Sequence, residues 1–395
     1  MVKKCPEDVF NMMVDVRRTL HRNPEIAFKE YATAELIIQK LTELGIEFQS
    51  QVGETGVIGF IKGENKGPVG AIRADMDALT INEAKTVEYR SQVSGAMHAC
   101  GHDGHTAMLL GAATILSRQK ERICGGIKLI FQPAEEGSLG AKALIEAGVL
   151  KNPDVDFILG IHMWPELPVG KIGIQYGITM SCSGHLRIEV KGLAAHAGTP
   201  HKGIDAIVPA SNLVLAIRSY LSQGFEPGEM VTISIGTIEG GYSRSVIADR
   251  VVLKGTTRSI TEEGREVIFE NIIRIAHHIC KAYSADCHVK LEKGSPPSYN
   301  NQKTTRTVEE TVRNIFGSDS VEIIKKIPMT SEDFGRYLQL IPGTFIKIGC
   351  SNKARGFNEP LHSVLFNFDE RVMALGSVVM AESAIKILRE RANEI

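Results

Sequence analysis

The densest run of reactive side chains is His98-Ala-Cys100-Gly-His102-Asp103-Gly-His105, where three imidazoles, a thiol and a carboxylate fall within eight residues. Glycines at 101 and 104 let the backbone bend so that neighbouring side chains converge. Cys sulfur and His nitrogen are preferred donors of a borderline-soft divalent cation, so the loop suits such an ion. Taken singly, Asp103 reads as a helix cap, the histidines as surface groups and Cys100 as a small core residue. Their density argues for metal instead.

A second element, Gln132-Pro-Ala-Glu135-Glu136-Gly137, closes the apolar run Ile127–Phe131. Strand ends are where α/β sites assemble. Adjacent residues of extended chain point opposite ways, so one glutamate can hold a cation while the other faces a water. Two carboxylates this close repel unless a cation or proton lies between them; a solvated acidic turn is the ordinary alternative. Asp75 and Asp77, in Arg73-Ala-Asp-Met-Asp-Ala-Leu79, share one face of a strand end. They can orient imidazoles from behind or cap a helix. His162 follows the apolar run Phe157–Ile161, and His362 sits in Glu359-Pro-Leu-His-Ser363. Each alone is an ordinary core or loop histidine, drawn in because a two-ion centre needs more donors than the first two elements offer. His196, in Gly192-Leu-Ala-Ala-His196-Ala-Gly-Thr-Pro-His201, and Arg258, in Gly255-Thr-Thr-Arg258, read alone as structural.

The elements that must position these groups follow from periodicity and turn signals. Pro6 opens a helix to about His21 that stops before Pro24, and a second helix, Tyr31–Leu44, ends at Gly45. Strands Gly56–Ile61 and Val69–Arg73, with a turn at Glu64–Pro68 between them, precede a helix at Thr106–Leu116. The strand Ile127–Phe131, the helix Leu139–Glu146 and the strand Phe157–Ile161 follow. Strands alternating with helices predict an α/β fold with a mainly parallel sheet covered on both faces. From Ser183 the order changes to strand Leu186–Val190, helix Ala206–Leu221, strands Val231–Ile235 and Val246–Leu253, helix Glu262–Ala282 and strand Cys287–Leu291. That β-α-β-β-α-β order is ferredoxin-like. Gly294-Ser-Pro-Pro-Ser298 marks the return to α/β pattern, with a strand at Thr344–Ile348 and a final helix near Glu370–Arg391. The organisation predicted is a catalytic domain of residues 1–182 and 294–395, interrupted by an inserted domain of residues 183–293.

Composition narrows the class. The 395 residues are 43% hydrophobic and 23% charged with a net charge of −1, which excludes disorder and gives no sign of a nucleic-acid or membrane-surface partner. The longest nearly apolar run, Ala107–Leu116, is about half a membrane span. Lys3 and Lys4 are followed by Pro6, Glu7 and Asp8 rather than a signal-peptide core, so the chain reads as cytoplasmic. Seven scattered cysteines without a C-x-x-C predict no disulfide framework.

Several motifs occur in order over nearly the whole chain: Arg73-Ala-Asp-Met-Asp-Ala-Leu79, Met97-His-Ala-Cys-Gly-His-Asp-Gly-His-Thr106, Phe131-Gln-Pro-Ala-Glu-Glu-Gly137, Ile161-His162, Ala195-His-Ala-Gly-Thr-Pro-His201, Ser331-Glu-Asp-Phe334 and the His362 segment. Together they resemble the co-catalytic metallopeptidase family in its amidohydrolase branch: aminoacylases, hippurate hydrolases and auxin-conjugate amidohydrolases. The resemblance implies two divalent ions per subunit, zinc foremost with manganese or cobalt as alternatives, held by Cys100, His102, Glu136, His162 and His362. It implies Glu135 as general acid/base toward a water bridging the ions. It makes the inserted domain a lid that also forms a homodimer or higher homo-oligomer. His196 resembles the lid histidine that reaches the neighbouring protomer's site, and Arg258 the arginine that grips the substrate carboxylate. The activity implied is release of an amino acid and a carboxylic acid from small N-acyl amino acids, acetyl, benzoyl or similar.

The chain departs from that pattern at Ser245-Val-Ile-Ala248, where the family commonly has Asn-Val-Ile-Pro, and at Thr80 and Ala206, where proline is usual. Serine lacks one of the amide's two polar groups, which puts substrate contacts at 245 in question. Rival expectations are a dipeptidase or an N-acetyl-diaminopimelate-type deacetylase of the same chemistry, and a non-catalytic binding or scaffold relative. A cysteine hydrolase with Cys100 as nucleophile and His102 or His105 as base leaves the glutamate pair unexplained.

Overall fold

The computed structural model describes residues 4–225 and 229–394. The outer ends of the expected catalytic domain, residues 1–3 (with Lys3) and 395, lie outside them, as do residues 226–228 of the expected insert. The chain divides into two units. The larger comprises Met1–Thr179, Tyr299–Lys326 and Arg336–Ile395, and the smaller Met180–Ser298 and Ile327–Gly335.

In the larger unit an eight-stranded sheet has the order Glu47–Val52, Gly56–Lys62, Cys124–Gln132, Asn65–Asp75, Phe157–Pro168, Gly343–Ser351, Ile172–Ile174, Val321–Ile323. The central pairs are parallel, with antiparallel additions at one edge and at Ile172–Ile174. This is the mainly parallel α/β sheet expected. Its inner strands read as unbroken apolar runs because both faces are covered: every residue of Gly343–Ser351 is buried. The helix His102–Ser117 is sealed on all sides from His102 to Leu116. It packs with the helices Glu7–Arg22 and Arg371–Ala392 over the core.

Three local expectations are corrected here. The turn at Glu64–Pro68 is instead the irregular start of the strand Asn65–Asp75, whose register against its neighbour shifts between Asn65 and Val69. Pro68 has no N–H to give a ladder, which suits it to that irregularity. The helix expected from Thr106 begins at His102, with Gly101 as a left-handed cap at φ 87°. Only glycine fits there, since a Cβ would come within 2.8 Å of Met163 Cγ. His162 lies inside the strand Phe157–Pro168 rather than after it.

The smaller unit has four antiparallel strands in the order Asp286–Lys293, Cys182–Lys191, Arg250–Ser259, Val231–Gly240. The helices Ile207–Gln223 and Glu262–Ala282 cover the face that carries Leu186, Ile188 and Val190. Chain order and strand order are those of the expected β-α-β-β-α-β fold. The strand expected at Val246–Leu253 starts only at Arg250, while Val246 makes an isolated bridge to His196. The segment Ile327–Gly335, placed with the catalytic domain by sequence, belongs to this unit. Ser181 N and Oγ both donate to Thr330 O at 2.9 Å, a tie that no local pattern announces. All seven cysteines are free. No helix among the described residues is long and apolar enough to cross a membrane.

Candidate metal centre

Every group of this cluster belongs to the larger unit. His102 opens its helix, and its Nδ1 donates to Asp77 O at 2.9 Å with Asp77 Oδ1 at 3.3 Å. That bond fixes the tautomer and turns Nε2 toward the glutamates. Asp77 Oδ1 also accepts from Glu135 N, and its Oδ2 from Glu136 N, both at 3.0 Å. Asp77 therefore caps no helix; it locks one imidazole and the glutamate turn together. Asp75 works one layer behind, accepting from His105 Nδ1 at 2.6 Å and from Arg73 Nη1 at 2.5 Å. His105 Nε2 in turn accepts from Met163 N at 2.9 Å. Both nitrogens of His105 are thus engaged, which removes it as a ligand or as a base for Cys100.

The remaining donors close the cluster. Cys100 Sγ lies 3.6 Å from His162 Nε2, while His162 Nδ1 donates to Met163 O at 2.8 Å. Donor atoms of Cys100, Glu136 and His362 all fall within 4.8 Å of one another, as do those of His102, Glu135 and Glu136. Glu136 Oε1 is 3.6 Å from His362 Nε2 and 3.9 Å from His102 Nε2. Glu135 Oε2 lies 4.0 Å from His102 Nε2. Three residues here hold left-handed backbone without being glycine: Ala134 (φ 52°) and Ser138 (φ 55°) flank the glutamates, and His362 has φ 65°. Such strain is of order 1 kcal/mol each and persists where surroundings over-determine it. Glu30 Oε1, bonded to Ala134 N at 3.0 Å, and Ala99 O, accepting from His362 N at 2.8 Å, supply that determination.

The charges are unbalanced toward the negative. Burial opposes a charge on His102, but Asp75 and Asp77 outweigh it and raise the imidazole to about 10. Glu136 is pushed up to about 7 by burial, with Asp77 and Asp75 adding to the effect of burial and His102 opposing it. Burial pulls His105 down to about 4, and pulls His362 down with help from His102 and His162. His102 Nε2 and Glu136 Oε1 are buried without a hydrogen-bond partner, which costs about 1–3 kcal/mol per group. Two ligands of a tetrahedral ion stand about 3.4–3.6 Å apart. The donor types, their spacing, the two orphaned atoms and the surplus carboxylates all fit divalent ions.

The model of peptidase family M20/M25/M40 matches residues 71–386. The chain belongs to this family. It is 39% identical over 393 residues to thermostable carboxypeptidase 2 of Saccharolobus solfataricus, covering 98% of each chain. It is 36% identical to N-acetyl-L-cysteine deacetylase of Bacillus subtilis, over 95% of this chain and 88% of that one. A Bacillus subtilis crystal structure described as a dinuclear metal binding peptidase of the M20 family superposes with a TM-score of 0.84 at 33% identity, covering 98% and 99% of the two chains. The protein is accordingly an M20-family hydrolase, and its larger unit carries the candidate metal site.

The other two expected residues of this M20-family chain sit in the smaller unit. His196 is exposed, and its Nδ1 accepts from Gly198 N at 2.9 Å, so the neutral ring carries its proton on Nε2. Ser245 O accepts from Ala197 N, and Ile247 N donates to Ala195 O. The Ser245–Ala248 departure therefore lies against the histidine loop and bears on its backbone. Arg258 Nη1 donates to Ser331 Oγ, in the segment Ser331-Glu-Asp-Phe334. Partial burial lowers its pKa. Sequence reasoning missed Glu30 and, more consequentially, Arg17 and His21. Those two stand at i and i+4 on the face of the first helix that also carries Met13, Val16 and Leu20. Charged groups on an apolar stripe were the available signal.

Proposed function

We propose that this M20-family hydrolase releases an amino acid and a carboxylic acid from N-acyl amino acids. Cys100, His102, Glu136, His162 and His362 would hold two divalent ions, zinc foremost. The observation that carries the reading is the facing pair of buried, unpartnered atoms, His102 Nε2 and Glu136 Oε1, 3.9 Å apart beside the other three donors. The relative named for deacetylating N-acetyl-L-cysteine supports the substrate class.

Ions held by these residues would polarise a carbonyl and lower the proton affinity of water. Glu135 takes the proton of the attacking water and hands it to the departing amine, which leaves poorly without it. Its backbone bond to Asp77 keeps the carboxylate beside the ligand histidine. His196, through Nε2–H, stabilises the developing oxyanion. Arg258 pairs with the carboxylate of the amino-acid half in two-pronged fashion. The smaller unit acts as lid and as the contact of a homodimer or higher homo-oligomer; the edge strand Val231–Gly240 and the exposed Leu215, Ile238 and Tyr242 support that role. The relative named as a carboxypeptidase favours a second reading, in which the same chemistry acts on short peptides.

A panel of N-acetyl and N-benzoyl amino acids and dipeptides, assayed before and after chelation and metal restoration, tests both. Acyl amino acids turned over fastest, with activity lost to chelator and restored by metal, is the expected result. Faster dipeptide turnover transfers the assignment to the second reading, and chelator-resistant activity overturns the metal mechanism.

A further inference from the structure

We infer that Arg17 is a positioning residue of the metal centre, tying together the two distant chain segments that carry Cys100–His102 and His362. The inference rests on the proposed ligand roles of those residues. Arg17, in the helix Glu7–Arg22, is 1% exposed and uses every part of its guanidinium. Nε donates to Asp103 Oδ2 at 3.0 Å, Nη1 to Glu370 Oε1 at 3.1 Å and Nη2 to Asn367 Oδ1 at 2.8 Å. The guanidinium Cζ lies over two aromatic rings, 4.5 Å from the centroid of Tyr89 and 4.4 Å from that of Phe368.

The sequence positions of its partners give this contact its meaning. Asp103 directly follows His102, while Asn367, Phe368 and Glu370 lie five to eight residues after His362. His362 needs such an anchor: its ring is half-exposed, its backbone is left-handed, and no regular element contains it. Two further contacts run along the same line. Phe368 closes on Gly104, where a Cβ would come within 2.6 Å of Phe368 Cζ. Lys85 Nζ donates to Phe366 O at 2.5 Å and lies 3.1 Å from His21 Nε2, and His21 Nδ1 donates to Asp103 Oδ2 at 2.7 Å.

The chemistry requires arginine. A lysine offers one point charge on a flexible stem and cannot reach three acceptors in the fixed fork of a guanidinium while also lying over two rings. Ligand sites tolerate little slack, and loss of an outer-shell partner typically costs about 10–100-fold in metal affinity.

The test compares Arg17→Lys with Val16→Ala, a core truncation on the same helix that leaves the tether intact. Zinc affinity of the folded full-length proteins is read by competition with a chromogenic chelator, with folding checked by circular dichroism. We expect Arg17→Lys to weaken at least one ion by about 10–100-fold and Val16→Ala to leave both within about twofold of wild type. Equal losses in the two variants, or none in Arg17→Lys, overturn the inference. Should Arg17→Lys fail to fold, Asn367→Ala, which removes the Nη2 acceptor together with its bonds to Tyr89 Oη and Phe368 N at the far end of the tether, decides by the same comparison. A wild-type protein that retains no ion contradicts the metal reading itself rather than the tether.

Discussion

His102 and His196 are assigned to one reaction, yet the molecule holds them in opposite ways. His102 is fully buried, and its Nδ1 is pinned by Asp77, which also grips the backbone of both glutamates. His196 is exposed, and its ring is steadied by a turn contact, Gly198 N to Nδ1. The difference follows from what each must meet. A ligand set has to be in place to a fraction of an ångström before an ion arrives, so its side chains are locked from behind. A donor that meets a passing substrate gains from freedom to approach and withdraw, and such groups ride on loops.

Glu135→Gln should keep both ions and lose activity by up to about 10⁴-fold, the upper range for a general acid–base group. A metal-loaded variant with near wild-type turnover would remove Glu135 from the mechanism. His196→Ala should lower kcat by about 10²–10³ while metal content and affinity stay unchanged, as suits a transition-state donor outside the ligand set. A loss of bound metal in that variant would show that His196 supports the ligand set itself. Asp77→Asn should do the reverse: metal affinity falls about 10–100-fold, and excess metal restores much of the activity. Unchanged affinity would show that Asp77 shapes the turn without orienting His102.

A smaller effect concerns stability. Burial opposes the charge on Glu83, but His21, the Ser91 N–H and Lys85 outweigh it and hold the carboxyl down at about 2, against an ordinary 4.5. A depressed folded-state pKa contributes stability above the ordinary value that is lost as pH falls from about 4.5 toward 2. Urea midpoints measured at pH 5 and pH 3 should differ less in Glu83→Gln than in wild type. An identical pH dependence in both proteins would mean that Glu83 contributes nothing to acid unfolding.

The contrast between the two histidines also marks what the sequence can carry. The fold class was legible because strand and helix periods alternate cleanly, and Gly45 and Pro24 stand where two helices stop. The cluster was legible because its donors are rare residue types in dense runs. Which histidine of the run faces the site was not legible from residue types and spacing: the resemblance singled out His102, and in the structure the partners Asp77, Asp75 and Met163 distinguish it from His105 three residues on. Arg17 escaped notice because its partners lie 86 and more residues away. The segment Ile327–Gly335 was misplaced for the same reason, since its tie to Ser181 spans 149 residues.

In the proposed centre five side chains hold two ions. That assignment is tested most directly by metal stoichiometry of the purified protein after exhaustive dialysis, measured by inductively coupled plasma mass spectrometry for wild type and Glu136→Ala. We predict about two equivalents per chain in wild type and about one or fewer in the variant, whose missing carboxylate lies 3.6 Å from His362 Nε2 and 3.9 Å from His102 Nε2. A wild-type protein that hydrolyses acyl amino acids with no ion bound, or a Glu136→Ala protein that still holds two, would contradict it.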